Sequence, residues 1–312
     1  MQNYNSTILL TAATGFLGIS ILRKLVALDY NVIIIKRSNS NIFRIKDIID
    51  LNKIKIFNID KGNLELLFGE NQIDCIIHSA TDYGRAETQN FTVFESNLIF
   101  PIKLMELAIK FKVICFINTD SYFNKGRIPY SGLFNYSLSK KTFLVWLKTF
   151  SKQIKVINIT LEHLYGPYDS NRKFMEYVIQ EIGVKKVDQI DLTQGLQKRD
   201  FVFIEDVVDA YLLLVQYGLK KKFAYRNFEI GTGVSLEISK VVSLIKEISK
   251  SDSKLLLGKL PYRDGEIMES KANLDKMSAL GWSPKYNIIQ GITKILGLYS
   301  NIKRESYGSR IF

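Results

Sequence analysis

The sequence predicts an α/β protein, a doubly wound parallel sheet followed by a smaller α/β lobe. Three observations carry this. Apolar runs of strand length alternate with helix-length segments from Ile8 to Leu161. A turn of small residues joins the first run to the first helix. The alternation then loosens after Gly166-Pro167, a pair that ends a strand and turns the chain out of a sheet.

Composition bounds the function classes. With 312 residues, 46% of them hydrophobic, the chain has apolar mass for one large or two closely joined α/β domains. No apolar run reaches the roughly 18 residues that span a bilayer, and the start MQNYNSTILL has neither a basic region nor a cleavage site. A soluble, cytoplasmic protein with no membrane partner is expected. The formal net charge of +12 comes from lysines scattered along the chain rather than gathered in one arm. Nucleic acid is therefore not an expected partner, and the charge suits an anionic small ligand. Cys75 and Cys115 lie inside apolar runs, the pattern of buried free thiols in a reducing compartment.

The elements follow in order. Ile8 to Leu10 form a strand that runs into TAATGFLG and then a helical ISILRKLVAL. The spacing Ala12-x-x-Gly15-x-x-Gly18 is a variant of the dinucleotide fingerprint of Rossmann-like folds, which needs a tight turn, close backbone approach to a pyrophosphate, and a helix N-terminus facing the anion. Ala12 replaces the first glycine and makes that turn more demanding. The second strand, Asn31 to Ile35, ends in Lys36-Arg37-Ser38, and no Asp or Glu lies between Tyr30 and Phe43. An acid there would bind the ribose 2′-hydroxyl of NAD and an Arg suits the 2′-phosphate of NADP, so NADP(H) is preferred, the alternative being that Arg37 is a solvated strand-end charge. A third strand, Ile54 to Ile59, ends at Asp60, an adenine-side candidate; the fourth, Asp74 to Ile77, runs into His78-Ser79-Ala80. His78 reads as a structural histidine. No metal site is expected, because two histidines and two cysteines lack ligand spacing.

After a helix through Asn97 to Lys110, a fifth strand leads to FINTDSYFNKGRIPYSGLFNYSLSK, from Phe116 to Lys140. Thr119 puts a hydroxyl at the strand's end, and Tyr136 and Lys140, four apart, share a helix face. A cation beside a phenol lowers its pKa from about 10 towards the range of useful proton exchange. Such pairs are common helix decoration on their own; with Thr119 they are what carbonyl reduction or alcohol oxidation requires. A sixth strand, Val156 to Leu161, precedes Glu162 to Pro167. Later come Arg199, a late strand at Phe228 to Gly233, Ser235 as cap of a helix from Ile238 to Ile248, and a tail from 301 to 312 without clear period. The expected domains are 1–165, with 200–232 returning to it, for the dinucleotide, and 166–199 with 233–312 as substrate lobe and tail.

Together Ala12 to Gly18, His78-Ser79-Ala80, Asn97, Thr119, Tyr136-x-x-x-Lys140, Tyr165-Gly166-Pro167, Arg199-Asp200-Phe201-Val202 and Leu280-Gly281-Trp282 resemble an extended short-chain dehydrogenase/reductase of the NAD-dependent epimerase/dehydratase family. IIHSATDYG, INTDSYFNK, LEHLYGPYD and RDGEIMESKAN are similar to its reductases of CDP-linked 4-keto sugars. The resemblance implies catalytic roles for Thr119, Tyr136 and Lys140, with Tyr136 and Lys140 also at the cofactor, Lys140 on the nicotinamide ribose. It places Thr14, Gly15, Phe16, Leu17, Gly18, Arg37, Ser38, Asp60, Ser79, Ala80 and Leu161 at the cofactor, and Thr81, Asp120, Ser121, His163 and Phe174 at a nucleotide-sugar substrate. Arg199 and Arg263 match arginines that hold the substrate pyrophosphate, a role their planar fork suits. A homodimer is implied as well. His163 and Thr160 stand where many relatives have Asn and Arg. Dehydratases of the group follow the threonine with Asp-Glu; Thr119-Asp120-Ser121 lacks the second carboxylate, which disfavours elimination. An NAD(P)-dependent epimerase and a non-catalytic NADP-sensing protein remain the alternatives.

Overall fold

The computed structural model describes residues 6–84 and 89–308, with side chains as far as residue 301. The chain divides into two compact units, Met1–Leu161 with Val208–Glu229, and Glu162–Val207 with Ile230–Phe312.

The first unit is built on a seven-stranded sheet. Its elements are β1 (Thr7–Thr11), α1 (Phe16–Ala27), β2 (Asn31–Lys36), β3 (Ile54–Asn58), α2 (Leu64–Glu70), β4 (Cys75–His78), α3 (Phe100–Lys110), β5 (Cys115–Ser121), α4 (Phe134–Phe150), β6 (Lys155–Leu161), α5 (Ile204–Lys220, from Val208 on) and β7 (Tyr225–Ile230, up to Glu229). The spatial order is β7-β6-β5-β4-β1-β2-β3, and β3 through β6 pair in parallel. The strand runs are apolar on both faces because helices cover both faces of a parallel sheet. Leu9, Ile33, Ile76, Phe116 and Val156 from the strands pack with Leu67, Leu104, Phe143 and Leu147 from α2, α3 and α4. β1 pairs with both β2 and β4, so the strand order reverses there, and ligands of such sheets sit beyond the strand carboxyl ends at that point. Thr11, His78, Ser121 and Leu161 are strand-end residues. Cys75 and Cys115 are buried free thiols, opposite one another on β4 and β5.

The second unit contains short ladders: Phe201–Phe203 with His163–Tyr165, Lys198–Arg199 between Leu236–Glu237 and Glu269–Ser270, and Lys254–Leu256 with Gln189–Asp191. Two longer helices, α6 (Ile238–Ser249) and α7 (Ile288–Gly308), belong to it. Buried acids gather its loops. Asp200 accepts from the backbone of Thr232, Gly233 and Ala272 and from the Thr232 hydroxyl, at 2.6–3.0 Å. Asp206 accepts from the backbone of Lys285 and Tyr286 at 2.9 and 3.1 Å.

Three expectations are corrected. The late strand is Tyr225–Ile230, not Phe228 to Gly233, because Gly231 to Gly233 form the loop that Asp200 holds. Ser235 does not cap α6, whose cap position is Glu237; the Ser235 hydroxyl donates to Glu269 instead. The expected tail continues α7 through Gly308, and 309–312 lie outside the described residues. Among the described residues no helix is long and apolar enough to cross a membrane.

Candidate active site

The β1–α1 turn is shaped for an anionic group. Ala12 adopts φ 54°, the left-handed region that glycine occupies at low cost, so the departure at the first glycine is accommodated as local strain. Gly15 stands at the α1 N-cap position and its N–H donates to the Ala12 carbonyl at 2.9 Å. A Cβ on Gly18 would collide with that carbonyl and with Ala13 Cα, so only glycine lets α1 start this close to β1. No side chain caps α1 and no acid occupies its first turn, which leaves the positive helix end for a phosphate. These features fit a dinucleotide pyrophosphate over Thr14 to Gly18.

At the β2 end, Arg37 is exposed and joins none of the ion pairs among the described residues. Asp60 is bonded to the Ser38 backbone N–H at 2.7 Å and to its hydroxyl, which holds the Asp60 carboxyl below the usual range. At the β4 end, Thr11 Oγ1 accepts the N–H groups of Ser79 and Ala80, each at 3.0 Å. The same Thr11 oxygen is hydrogen-bonded to His78 Nδ1 at 3.1 Å. Burial, and then Lys140, hold the His78 pKa well below its ordinary value. With its ring against Phe100, Phe116 and Phe143, His78 is structural.

β5 and α4 bring Thr119, Ser121, Tyr136 and Lys140 together. Lys140 is 3% exposed and donates to the Thr119 carbonyl at 3.0 Å. Burial lowers its pKa to about 8, against the opposing pull of Asp120. The two hydroxyls differ in partner: Thr119 Oγ1 is bonded to Tyr211 OH on α5 at 2.7 Å, whereas Ser121 is bonded to the Tyr136 phenol. The expected lowering of the phenol pKa is reversed. Tyr136 is 4% exposed, and desolvation, followed by the adjacent Tyr83, pushes it well above 10, so it is protonated at neutral pH.

Asp120 faces inward. Its carboxylate accepts from the Ser121 N–H at 2.8 Å, Asn124 Nδ2 at 2.7 Å and Asn158 Nδ2 at 3.2 Å. Burial raises its pKa, opposed first by Lys140. Asn158 extends the chain by accepting from Asn118 and donating to Asn227, each at 2.7 Å.

Sequence reasoning missed several contributors. Tyr83 stacks on Tyr136 with ring centroids 4.9 Å apart and planes at 19°, and Phe123 meets the same ring edge-on at 6.1 Å. Asn97, noted only as part of a motif, sits fully buried in a π-turn, Glu95–Ile99. It accepts from Thr81 Oγ1 and the Asp82 N–H and donates to the Asp82 carbonyl and Ser139, tying the Tyr83 loop to α4. Thr81 thus spends its hydroxyl hydrogen on Asn97. No spacing rule announces a ring stack; only the aromatic density of the loops hinted at it.

In the second unit, Arg199 is 5% exposed, donates to the Lys198 carbonyl at 2.9 Å and is paired with Glu266. Arg263 is exposed on the loop that carries Glu266. His163 lies edge-on to Phe201 at 5.6 Å, and burial, then Arg199 and Lys173, keep it neutral. Phe174 opens the short helix Phe174–Val178 and is half-buried. Leu161 ends β6 opposite Ser121. Among the described residues no group of three His, Cys, Asp or Glu side chains is placed to hold a metal ion.

A glycine turn at a sheet switch point, with a phenol, an ammonium and two hydroxyls at the strand ends, defines a nicotinamide-dependent enzyme of the short-chain dehydrogenase/reductase type. The chain belongs to the NAD dependent epimerase/dehydratase family, whose match covers residues 8–231. It is 36% identical over 301 residues to CDP-abequose synthase of Salmonella muenchen, spanning 96% of this chain and 99% of the relative. It is 33% identical to CDP-abequose synthase of Salmonella typhimurium, spanning 93% and 97%. The fold is similar to UDP-glucose 4-epimerase of Thermotoga maritima solved with UDP-glucose, with TM-score 0.80, 22% identity and coverage of 95% and 99%.

Proposed function

We propose that the protein reduces the C4 ketone of a nucleotide-linked 6-deoxy- or 3,6-dideoxy-4-keto sugar with NADPH, in the cytoplasmic assembly of a bacterial surface polysaccharide. CDP is the favoured nucleotide, on the strength of the two CDP-abequose synthase relatives, with GDP and dTDP the other choices. The carrying observation is the state of the acid–base groups. The Tyr136 phenol is held protonated, while Asp120, the sole carboxylate of the 119–121 segment, is taken up by internal donors. Elimination needs a free carboxylate base there; ketone reduction needs a proton donor.

When bound, the reduced nicotinamide supplies the hydride. Tyr136 gives its proton to the oxygen that becomes the alcohol, Thr119 donates a hydrogen bond to that oxygen, and Lys140 sets positive charge behind them. Arg37 would meet the 2′-phosphate, and Arg199 and Arg263 the substrate diphosphate, with Glu266 yielding part of its hold on Arg199. Exposed Ile99, Phe134, Val145 and Trp146 support a homodimer through the α3 and α4 region.

A second reading, an NAD(P)-dependent nucleotide-sugar epimerase, is favoured by Asp60, an acid anchored beside the β2 end. Incubation with NADPH and CDP-, GDP- and dTDP-linked 4-keto sugars separates the cases. Stoichiometric loss of NADPH absorbance with one of them is the expected result. Conversion without net cofactor loss means epimerisation, and cofactor binding without conversion means a sensor.

A further inference from the structure

We infer that Tyr211 is a positioning residue whose phenol donates to Thr119 Oγ1, so that the Thr119 hydroxyl hydrogen is left to point at the substrate ketone oxygen. The inference rests on the reductase reading of this site.

The oxygens are 2.7 Å apart, and the distance alone allows either to donate. Burial decides. Tyr211 lies on α5 and is 0% exposed, and among the described residues Thr119 is the hydrogen-bond partner of its phenol. If Thr119 donated, the phenol hydrogen would be stranded in the core, an arrangement folded proteins avoid. Thr119 is only partly buried, so its own hydrogen has somewhere else to go. The arrangement converts a hydroxyl that could accept or donate into one that donates outward, and a hydroxyl that already accepts is polarised to donate more strongly. Burial also pushes the Tyr211 pKa upward, which keeps the phenol protonated. Ser121 then keeps Tyr136 in place while Thr119 serves the ketone, which explains why this strand end carries two hydroxyls with different partners.

The test compares Tyr211→Phe, Thr119→Val and the double variant in the full chain. In thermal denaturation, Thr119→Val should lower Tm more than Tyr211→Phe, because the first strands a buried phenol and the second leaves a hydroxyl that water can reach. The opposite order would overturn the burial on which the proposal stands; the donor itself is read in turnover, where an unchanged or raised kcat in Tyr211→Phe would mean that Thr119 is the donor, its hydrogen freed for the ketone, and would overturn the proposal. In turnover, Tyr211→Phe should lower kcat by roughly 3- to 10-fold, the worth of one hydrogen bond, with KM nearly unchanged. The double variant should match Thr119→Val; losses that multiply instead would show that Tyr211 acts independently of Thr119. If wild-type protein turns over none of the 4-keto sugars, the reductase reading fails; if it turns one over and Tyr211→Phe is as fast, the reductase reading stands and this inference fails.

Discussion

The two units are organised by different means. In the first, the register of parallel strands brings Thr11, His78, Thr119 and Ser121 to the sheet's carboxyl end, where Thr11 meets His78 on the neighbouring strand and Thr119 meets Tyr211 on the covering helix. In the second, ladders of two or three residues leave the loops to be gathered by single carboxylates, Asp200 and Asp206. Both units bury apolar side chains, the second among them Val178, Ile182, Val241 and Ile292, but only in the second do single buried acids hold the loops.

Removing one acid should therefore break the contrast most visibly. Asp200→Ala strands three backbone N–H groups and a hydroxyl, and is expected to destabilise the second unit by about 3 kcal/mol or more. Trp146 and Trp282 lie in different units, so single-tryptophan variants in urea read each one separately. Equal shifts in both signals would dissolve the distinction. Next in size is Gly18→Ala, whose added Cβ meets the Ala12 carbonyl: a loss of about 1–3 kcal/mol from overpacking, read by Trp146, together with weaker dinucleotide binding by titration.

The pH response sharpens the comparison further. Lys140 titrates at about 8 in the fold against 10.5 for an unperturbed lysine, so between those values the unfolded chain binds the more protons. Stability from this residue should accordingly rise with pH across that window, while turnover falls as the ammonium is lost above about 8. Asp120→Asn removes the opposing pull and should shift the falling limb of kcat to lower pH. A limb that does not move would remove Asp120 from the electrostatics of the site. The smallest effect is expected from Ala12→Gly, which relieves a positive φ costing about 1–2 kcal/mol but restores about 0.5–1 kcal/mol of entropy to the unfolded chain, a small net gain for the first unit.

The same division explains what could be read from the sequence. Apolar runs such as Ile8 to Leu10 and Cys115 to Ile117, the small-residue turn at Ala12 to Gly18 and the Tyr136/Lys140 spacing are local signals, and local geometry realises them. Choices made in three dimensions were not legible. Which hydroxyl meets Tyr136 depends on how α4 and α5 flank β5, and Tyr211 is 92 residues from Thr119. The phenol's upward shift follows from burial and from Tyr83, neither visible in a Tyr-x-x-x-Lys pattern that predicts only the nearby cation. Ser235 looked like a cap because its residue type and position fit one, yet Glu269 offered its hydroxyl a stronger acceptor.

The most direct test of the reductase account is turnover of a CDP-linked 4-keto sugar by wild-type protein and by Tyr136→Phe, followed as NADPH oxidation at neutral pH. Stoichiometric oxidation by the wild type, with the variant slower by roughly 10²- to 10⁴-fold at unchanged Tm, is the predicted result. Equal rates from the two proteins would contradict the assignment of Tyr136 as the proton donor.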